Sequence, residues 1–146
     1  MKKPLCIAIF GPLPSSKNVG GPETITYNLA KALSELGNQI YIFKGFFGNR
    51  INQNSTKVYD IIRSNAIKES QVFHVILGLK SGGYIGAFLA KALGKPLITH
   101  FHQPPDQSFR GIRNAKFTFL NFLSPLDKNL LKTSDKVISV SDYRHC

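Results

Sequence analysis

Short apolar runs alternate along the chain with segments in which apolar residues recur at helical spacing. The apolar runs predict strands at Leu5–Phe10, Ile40–Phe43, Val72–Leu77, Pro96–Phe101 and Lys136–Val140. The segments of helical period lie between them, at Glu23–Leu36, Lys57–Ser70, Gly82–Leu93 and Asn114–Leu131. Strands that are apolar throughout and alternate with helices predict an α/β fold, a Rossmann-like doubly wound parallel sheet with helices on both faces.

The apolar positions also predict which side of each helix faces the sheet. In the first helix the expected inward face consists of Ile25, Leu29, Ala32, Leu33 and Leu36. In the helix that begins near Gly82 it consists of Ile85, Phe88, Leu89 and Ala92. Gly37 and Gly94 follow the last turns of these helices, which is where a glycine commonly ends a helix.

Ligands of doubly wound folds bind beyond the carboxyl ends of the strands. The segments that follow strands, and so become candidates, are Gly11–Gly21, Gly78–Gly83, His100–Asp106 and Ser141–Tyr143. Within the first of them, Gly20 and Gly21 precede a helix, where free backbone amides favour a phosphate or carboxylate. The other interpretation is that the two glycines only shape a tight entry into the helix, with Pro22 in its first turn.

The net charge and the cysteine content indicate which partners and which cellular compartment to expect for the protein. The net charge is +11, and Lys and Arg outnumber Asp and Glu in each of the stretches 1–50, 51–100 and 101–146. A surface that is positive throughout favours anionic partners, although it also fits a soluble protein that is merely basic. Cys6 and Cys146 form no disulfide framework, which suits a reducing cytoplasm. No apolar run reaches the ~18 residues of a membrane span, so we expect a cytoplasmic protein, soluble or peripheral on the membrane face.

Several classes of enzyme are disfavoured by missing motifs. The G-x-G-x-x-G fingerprint of redox Rossmann domains is absent, and the second strand runs into Lys44 rather than an acidic residue. The chain contains neither the G-K-S/T of a P-loop nor the G-x-S-x-G of an α/β-hydrolase. Its eight carboxylates form no obvious catalytic pair, which disfavours a glycosidase.

Three segments together resemble the family 4 glycosyltransferases. Their sequences are Gly11-Pro12-Leu13-Pro14 with Gly20-Gly21-Pro22-Glu23 and the following helix to Ile40, then Lys95-Pro96-Leu97-Ile98-Thr99-His100-Phe101-His102, then Asp135-Lys136-Val137-Ile138-Ser139-Val140-Ser141. They occur in the order and at the spacing of that family and extend over nearly the whole chain.

The resemblance implies that residues 1–146 are the acceptor-side, amino-terminal domain of a GT-B enzyme. Such an enzyme moves a sugar from a nucleotide-sugar to an acceptor with retention, and it needs neither a metal nor another cofactor. In this chain, Gly20 and Gly21 would approach the donor diphosphate, His102 would act at the donor sugar, and Ser141 would lie beside the cleft. Strand alternation puts His100 on the same face as His102, and each histidine could instead be a plain structural residue. Ser141 could instead be a helix N-cap.

The chain also departs from that family. Residues 72–78 read Val-Phe-His-Val-Ile-Leu-Gly, where many relatives have an acidic residue and a histidine. The donor-binding domain with its E-x7-E pattern is absent, so we expect a fragment, a truncated product or half of a split enzyme, inactive by itself.

The alternative is a non-catalytic basic module that binds anionic lipid or a nucleotide. Cations and aromatic residues alternate around the last predicted helix, at Arg110, Arg113, Lys116, Phe117, Phe119, Phe122, Lys128 and Lys132. Such a helix can lie in a lipid interface. We do not expect nucleic acid as a partner, because no recognition motif for it is present.

Overall fold

A five-stranded, all-parallel sheet organises the computed structural model, which describes residues 3–14, 20–43, 65–77, 82–101, 126 and 128–139. The strands are β1 (Cys6–Phe10), β2 (Gln39–Phe43), β3 (Val72–Ile76), β4 (Leu97–Phe101) and β5 (Lys136–Ser139). The helices are α1 (Gly21–Glu35), α2 (Asn65–Glu69), α3 (Gly83–Ala92) and α4 (residues 128–133). The α/β, Rossmann-like parallel arrangement expected from the sequence is therefore confirmed.

The predicted elements are found with small shifts at their ends. Of the predicted helix at Lys57–Ser70, residues 65–69 are helical and residues 57–64 lie outside the described residues. Of the predicted helix at Asn114–Leu131, only residue 126 and the turns from residue 128 onward are described, and the helix continues to residue 133.

The strand order is β2-β1-β3-β4-β5. From β1 the chain moves outward through α1 to β2, and from β3 it moves in the opposite direction through β4 to β5. The order reverses between β1 and β3, which makes their carboxyl ends the topological switch point of the sheet, where open α/β folds bind ligands.

Apolar side chains cover both faces of the central strands. One face buries Ala8, Phe10, Phe43, Ile67, Phe73, Val75, Leu77, Ala87, Leu89, Ala90 and Leu97, so that α2 and α3 pack against it. The other face buries Ile7, Ile9 and Ile76 together with Ala30 of α1. On the first face, the ring of Phe10 stacks on Phe43 at 4.8 Å and on Phe73 at 5.7 Å between centroids. The core therefore lies around the inner strands β1 and β3.

The inward faces expected for α1 and α3 are confirmed at Ile25, Leu29, Leu33, Ile85 and Leu89, which pack against the core, and are wrong at four other residues. Leu36 is 77% exposed and Phe88 is 72% exposed, and Ala32 and Ala92 are also exposed. Beside Leu89, the buried side of α3 consists of the small residues Gly83, Gly86, Ala87 and Ala90. Small residues let this helix approach the sheet closely. The residues that contact the sheet are therefore selected by side-chain size as well as by hydrophobicity.

The approach is closest at Gly86. A Cβ on this residue would lie 2.5 Å from Cδ2 and 2.9 Å from Cβ of Phe10. Because Phe10 is held between two aromatic neighbours and is only 1% exposed, it has no room to retreat. Gly86 thus sets the distance between α3 and β1.

Strand β5 lies at one edge of the described sheet and is exposed along its length. Its apolar residues Val137 and Ile138 are 48% and 41% exposed. The sequence predicted a strand at Lys136–Val140 from its apolar residues. The strand is confirmed at Lys136–Ser139, but its residues are exposed and not buried on both faces.

Candidate functional site

The carboxyl end of β1 lies beneath the first turns of α1. Gly11 directly follows the strand, and its amide donates to the carbonyl of Phe43 at 3.1 Å. A Cβ on Gly11 would lie 2.6 Å from the Thr26 hydroxyl oxygen and 3.0 Å from Cδ1 of Ile76, at the end of β3. The beginning of α1 is therefore fixed at the switch point between β1 and β3. Glycine at position 11 is what permits this approach.

Gly20 is the N-cap of α1, in extended conformation with φ −109° and ψ 177°. No side chain caps the helix through a hydrogen bond, and Pro22 lies in the first turn, where its missing N–H costs nothing. The Thr24 hydroxyl donates to the Gly20 carbonyl at 2.9 Å. This glycine pair therefore combines a helix N-terminus with exposed main chain, as the sequence predicted.

Glu23 is a residue of this region to which sequence analysis gave no separate role. A Cβ on Gly20 would lie 2.6 Å from Oε2 of Glu23, so the carboxylate folds back over the N-cap. A negative group is favoured there because the helix N-terminus carries partial positive charge. The spacing of an N-cap residue and a glutamate three positions later is the sequence signal that could have identified it.

Two histidines on neighbouring strands face each other below the same edge. His74 is paired in register with Ile98 and His100 with Ile76, the last residue of β3, so His100 lies two residues nearer the carboxyl edge. Their ring centroids are 5.8 Å apart, with the planes inclined at 44°. His74 is 4% exposed, whereas His100 is half-buried. The two imidazoles thus form a pair, with one member buried and one nearer the surface.

The environment of His74 disfavours its charged form. Burial, and to a smaller extent the charge of His100, lower the pKa of His74 from 6.5 to about 4. Its Nε2 has no hydrogen-bond partner among the described residues. His74 is therefore neutral at pH 7.

The sequence singled out His100 as a competitor of His102 but assigned no role to His74. Pairing between parallel strands decides which residues of β3 and β4 become neighbours, and no local pattern reveals that register. A polar residue in the middle of an otherwise apolar strand was the available signal.

The other predicted site residues divide into two groups. Gly20 and Gly21 lie at the carboxyl edge, because α1 starts there. His102 follows Phe101, the last residue of β4, and Ser141 lies two positions after the end of β5, so both fall outside the described residues. Their roles stay predictions. Because all five strands are parallel, β1 and β4 end at the same edge of the sheet.

Within the described ranges, no cluster of three or more His, Cys, Asp or Glu side chains could hold a metal ion. In the same part of the chain, none of the helices combines the length and apolar character needed to cross a bilayer.

No protein-family model matches the chain, and no curated protein matches it. Among solved structures, the chain is similar to the crystal structure of a conserved protein from Enterococcus faecalis V583, with a TM-score of 0.56 and 16% sequence identity. The similarity covers 94% of this chain and 92% of that one. At this level of identity the likeness concerns the fold alone, and it supports the α/β parallel-sheet architecture.

Proposed function

We propose that this chain is the acceptor-side, amino-terminal domain of a GT-B glycosyltransferase that uses a nucleotide-sugar donor and retains configuration. The observation that carries the proposal is the glycine-capped start of α1 at the switch point between β1 and β3, on the edge where β4 also ends. The sequence resemblance to the family 4 glycosyltransferases predicts that this edge contacts the diphosphate of the donor.

A diphosphate leaving group needs hydrogen-bond donors and positive potential near its departing oxygens. The amides of Gly21 and Glu23 at the start of α1 would supply both, and glycine at positions 20 and 21 lets main chain come near without a side chain between. The Glu23 carboxylate, which now lies against Gly20, would have to turn aside for a phosphate to take its place. Its side chain is flexible, so the cost of moving it is small.

The remaining roles follow the family resemblance. His102 would act at the donor sugar, and Ser141 would lie beside the cleft formed with a donor-binding half, on the same chain or a separate one. The acceptor would be a glycan, a lipid or a small molecule. The high net charge fits a protein that works on anionic substrates or against an acidic membrane surface.

Binding of nucleotide-sugars to the ¹⁵N-labelled chain tests the proposal. A panel of UDP-, GDP- and ADP-sugars is titrated, and backbone amide shifts are followed. We expect one nucleotide class to perturb the amides of Gly20, Gly21, Glu23 and Thr24, with little change at Ser34, which is exposed in the last turn of the same helix.

Two variants sharpen the test. Gly21→Ala should weaken binding about tenfold, the equivalent of one lost hydrogen bond to a charged group, while the matched control Ser34→Ala should leave it unchanged. Flotation with anionic vesicles tests the alternative, a basic binding module. If the chain floats with the vesicles and no nucleotide-sugar binds to it, the basic binding module is favoured and the glycosyltransferase proposal is refuted.

A further inference from the structure

We propose that the layer formed by helices α2, α3 and α4 is a docking surface for an anionic lipid bilayer, in which Phe88 enters the lipid interface and the lysines of the layer contact the headgroups. This layer covers the sheet face opposite to α1, because α2 and α3 pack against the core around Phe10 and Phe73, and Leu130 and Leu131 of α4 pack against the same core. The inference does not rest on the proposed function, whose donor would bind at the start of α1.

Phe88 is the most exposed apolar residue of this layer. It is 72% exposed on α3, although its neighbours Ala87 and Leu89 are buried. Two further apolar residues of the layer are partly in water, since Leu93 is 43% exposed after α3 and Leu126 is 41% exposed just before α4. An aromatic ring gains free energy when it moves from water into a lipid interface. The layer therefore offers a side chain that a bilayer can take up.

The same layer carries a positive charge. Within residues 65–69, 83–95 and 126–135, the lysines are Lys68, Lys91, Lys95, Lys128 and Lys132, and the described carboxylates are Glu69 and Asp135. Asp127 belongs to this stretch of the sequence but lies outside the described residues. Five lysines thus stand against three carboxylates even when Asp127 is counted. A surface of this charge is attracted to acidic headgroups.

Hydrogen bonds to main-chain carbonyls hold two of the lysines between the helices. Lys91 donates to the carbonyl of Thr133 at the end of α4, and Lys95 donates to the carbonyl of Lys68 in α2 at 3.4 Å. Lys91 follows Phe88 by three positions, so the two side chains are neighbours on the surface of α3. The aromatic ring and a cation therefore lie side by side.

The described carboxylates of the layer make their contacts with other groups. Asp135 accepts a hydrogen bond from a main-chain amide of β4 at 2.8 Å, and Glu69 accepts one from a tyrosine hydroxyl of β2 at 3.3 Å. In the part of the chain that the structure describes, the one ion pair joins Lys31 to Glu35 on α1, across the sheet from this layer. The charge of the lysines is thus left for a partner.

The combination of an exposed ring with lysines favours a lipid bilayer as that partner. A bilayer with acidic headgroups presents negative charge at its surface and an apolar region directly beneath, which match the lysines and Phe88 respectively. Nucleic acid would also attract the lysines, but the sequence contains no recognition motif for it.

Tryptophan fluorescence tests the inference, because the chain contains no tryptophan of its own. Phe88→Trp places a single reporter on the proposed surface, and Leu36→Trp places a matched one at the exposed end of α1. We expect vesicles of phosphatidylglycerol and phosphatidylcholine in equal parts to shift the emission of Phe88→Trp to the blue. Vesicles of phosphatidylcholine alone should not shift it, and Leu36→Trp should keep its emission with both.

Substitutions separate a local contact from the general attraction of a basic protein. In flotation of the full chain with the acidic vesicles, Phe88→Ala should weaken partitioning about tenfold, and Lys91→Gln about fivefold. Because Lys91 also bonds to α4, Lys132→Gln repeats the charge test on another residue and should have a similar effect. Lys31→Gln removes the same charge from α1 and should change partitioning by less than about twofold.

Circular dichroism verifies that each variant is folded, and Phe88→Ala is expected to fold because its side chain is mostly in water. The inference is overturned if Phe88→Trp shows no blue shift with the acidic vesicles, or if both kinds of vesicle shift it equally. It is also overturned if Lys31→Gln weakens partitioning as much as Lys91→Gln and Lys132→Gln do. Tighter binding to single-stranded DNA or polyglutamate than to the acidic vesicles, at matched ionic strength, would assign the surface to a different partner and reject the bilayer.

Discussion

Lowering the pH should destabilise the protein through His74. The unfolded chain binds a proton at this residue with a pKa of 6.5, whereas the folded chain does so only at about 4. The folded pKa is depressed, so the stability linked to His74 is fully present above pH 6.5 and is lost as the pH falls toward 4. Linkage gives a loss of about 2 kcal/mol between pH 7 and pH 5, and about 3 kcal/mol by pH 4.

Urea unfolding followed by far-UV circular dichroism, at half-unit steps from pH 7.5 to pH 4.5, measures this loss. Other groups also titrate in this range, so the informative quantity is the difference between the native chain and His74→Leu. Leucine fills a similar volume among Ile9 and Ile98 and cannot be protonated. The variant should lose about 2 kcal/mol less than the native chain on going from pH 7 to pH 5.

A matched control separates titration from packing. Ile98→Leu, beside His74 on the neighbouring strand, disturbs the same part of the core but removes no ionisable group, so it should keep the full pH dependence. The reasoning is refuted if His74→Leu and the native chain lose equal stability between pH 7 and pH 5. It is equally refuted if Ile98→Leu flattens the profile as much as His74→Leu does.

The close approaches at the end of β1 give further expected outcomes. Gly86→Ala should destabilise the protein by about 2 kcal/mol, because overpacking against Phe10 outweighs the better helix propensity of alanine. Phe10→Leu should recover part of this loss in the double mutant. If the two substitutions are additive in a double-mutant cycle measured by denaturant unfolding, the contact is contradicted. Gly11→Ala should cost about 1–3 kcal/mol, because its Cβ meets the buried Thr26, and Thr26→Ala should relieve that strain; an unchanged thermal midpoint for Gly11→Ala would count against the geometry. Glu23→Gln should strengthen binding of pyrophosphate at the start of α1 by a few-fold in calorimetry, because a competing negative charge is removed, roughly the size of one helix-dipole interaction; weaker binding would show that the carboxylate does not compete.

The architecture followed from the sequence because its strands are continuous apolar runs. Ile7, Ile9 and Phe10 of β1, like Val75 and Ile76 of β3, are buried on both faces of the sheet, and that is the pattern that specifies a parallel sheet between two layers of helices. Helix faces were predicted less well, because hydrophobicity points to large residues such as Phe88, while close packing selects small ones.

The candidate site followed from the sequence only in part. The glycine pair before α1 was identifiable, because strand, open loop and helix are encoded locally. The meeting of His74 with His100 was not, because these residues are 26 positions apart and become neighbours only through the register of β3 against β4. Residues that meet through strand register are invisible to a reading along the chain.

Two glycines flank the end of β1 from opposite sides of the sheet, and their lack of side chains has a consequence for evolution. Gly11 admits the side chain of Thr26, and Gly86 admits the ring of Phe10. Homologous chains should therefore vary in pairs at these sites. A lineage that acquires alanine at position 86 is expected to carry a smaller residue than phenylalanine at position 10, and alanine at position 11 should be accompanied by loss of the β-branch at position 26.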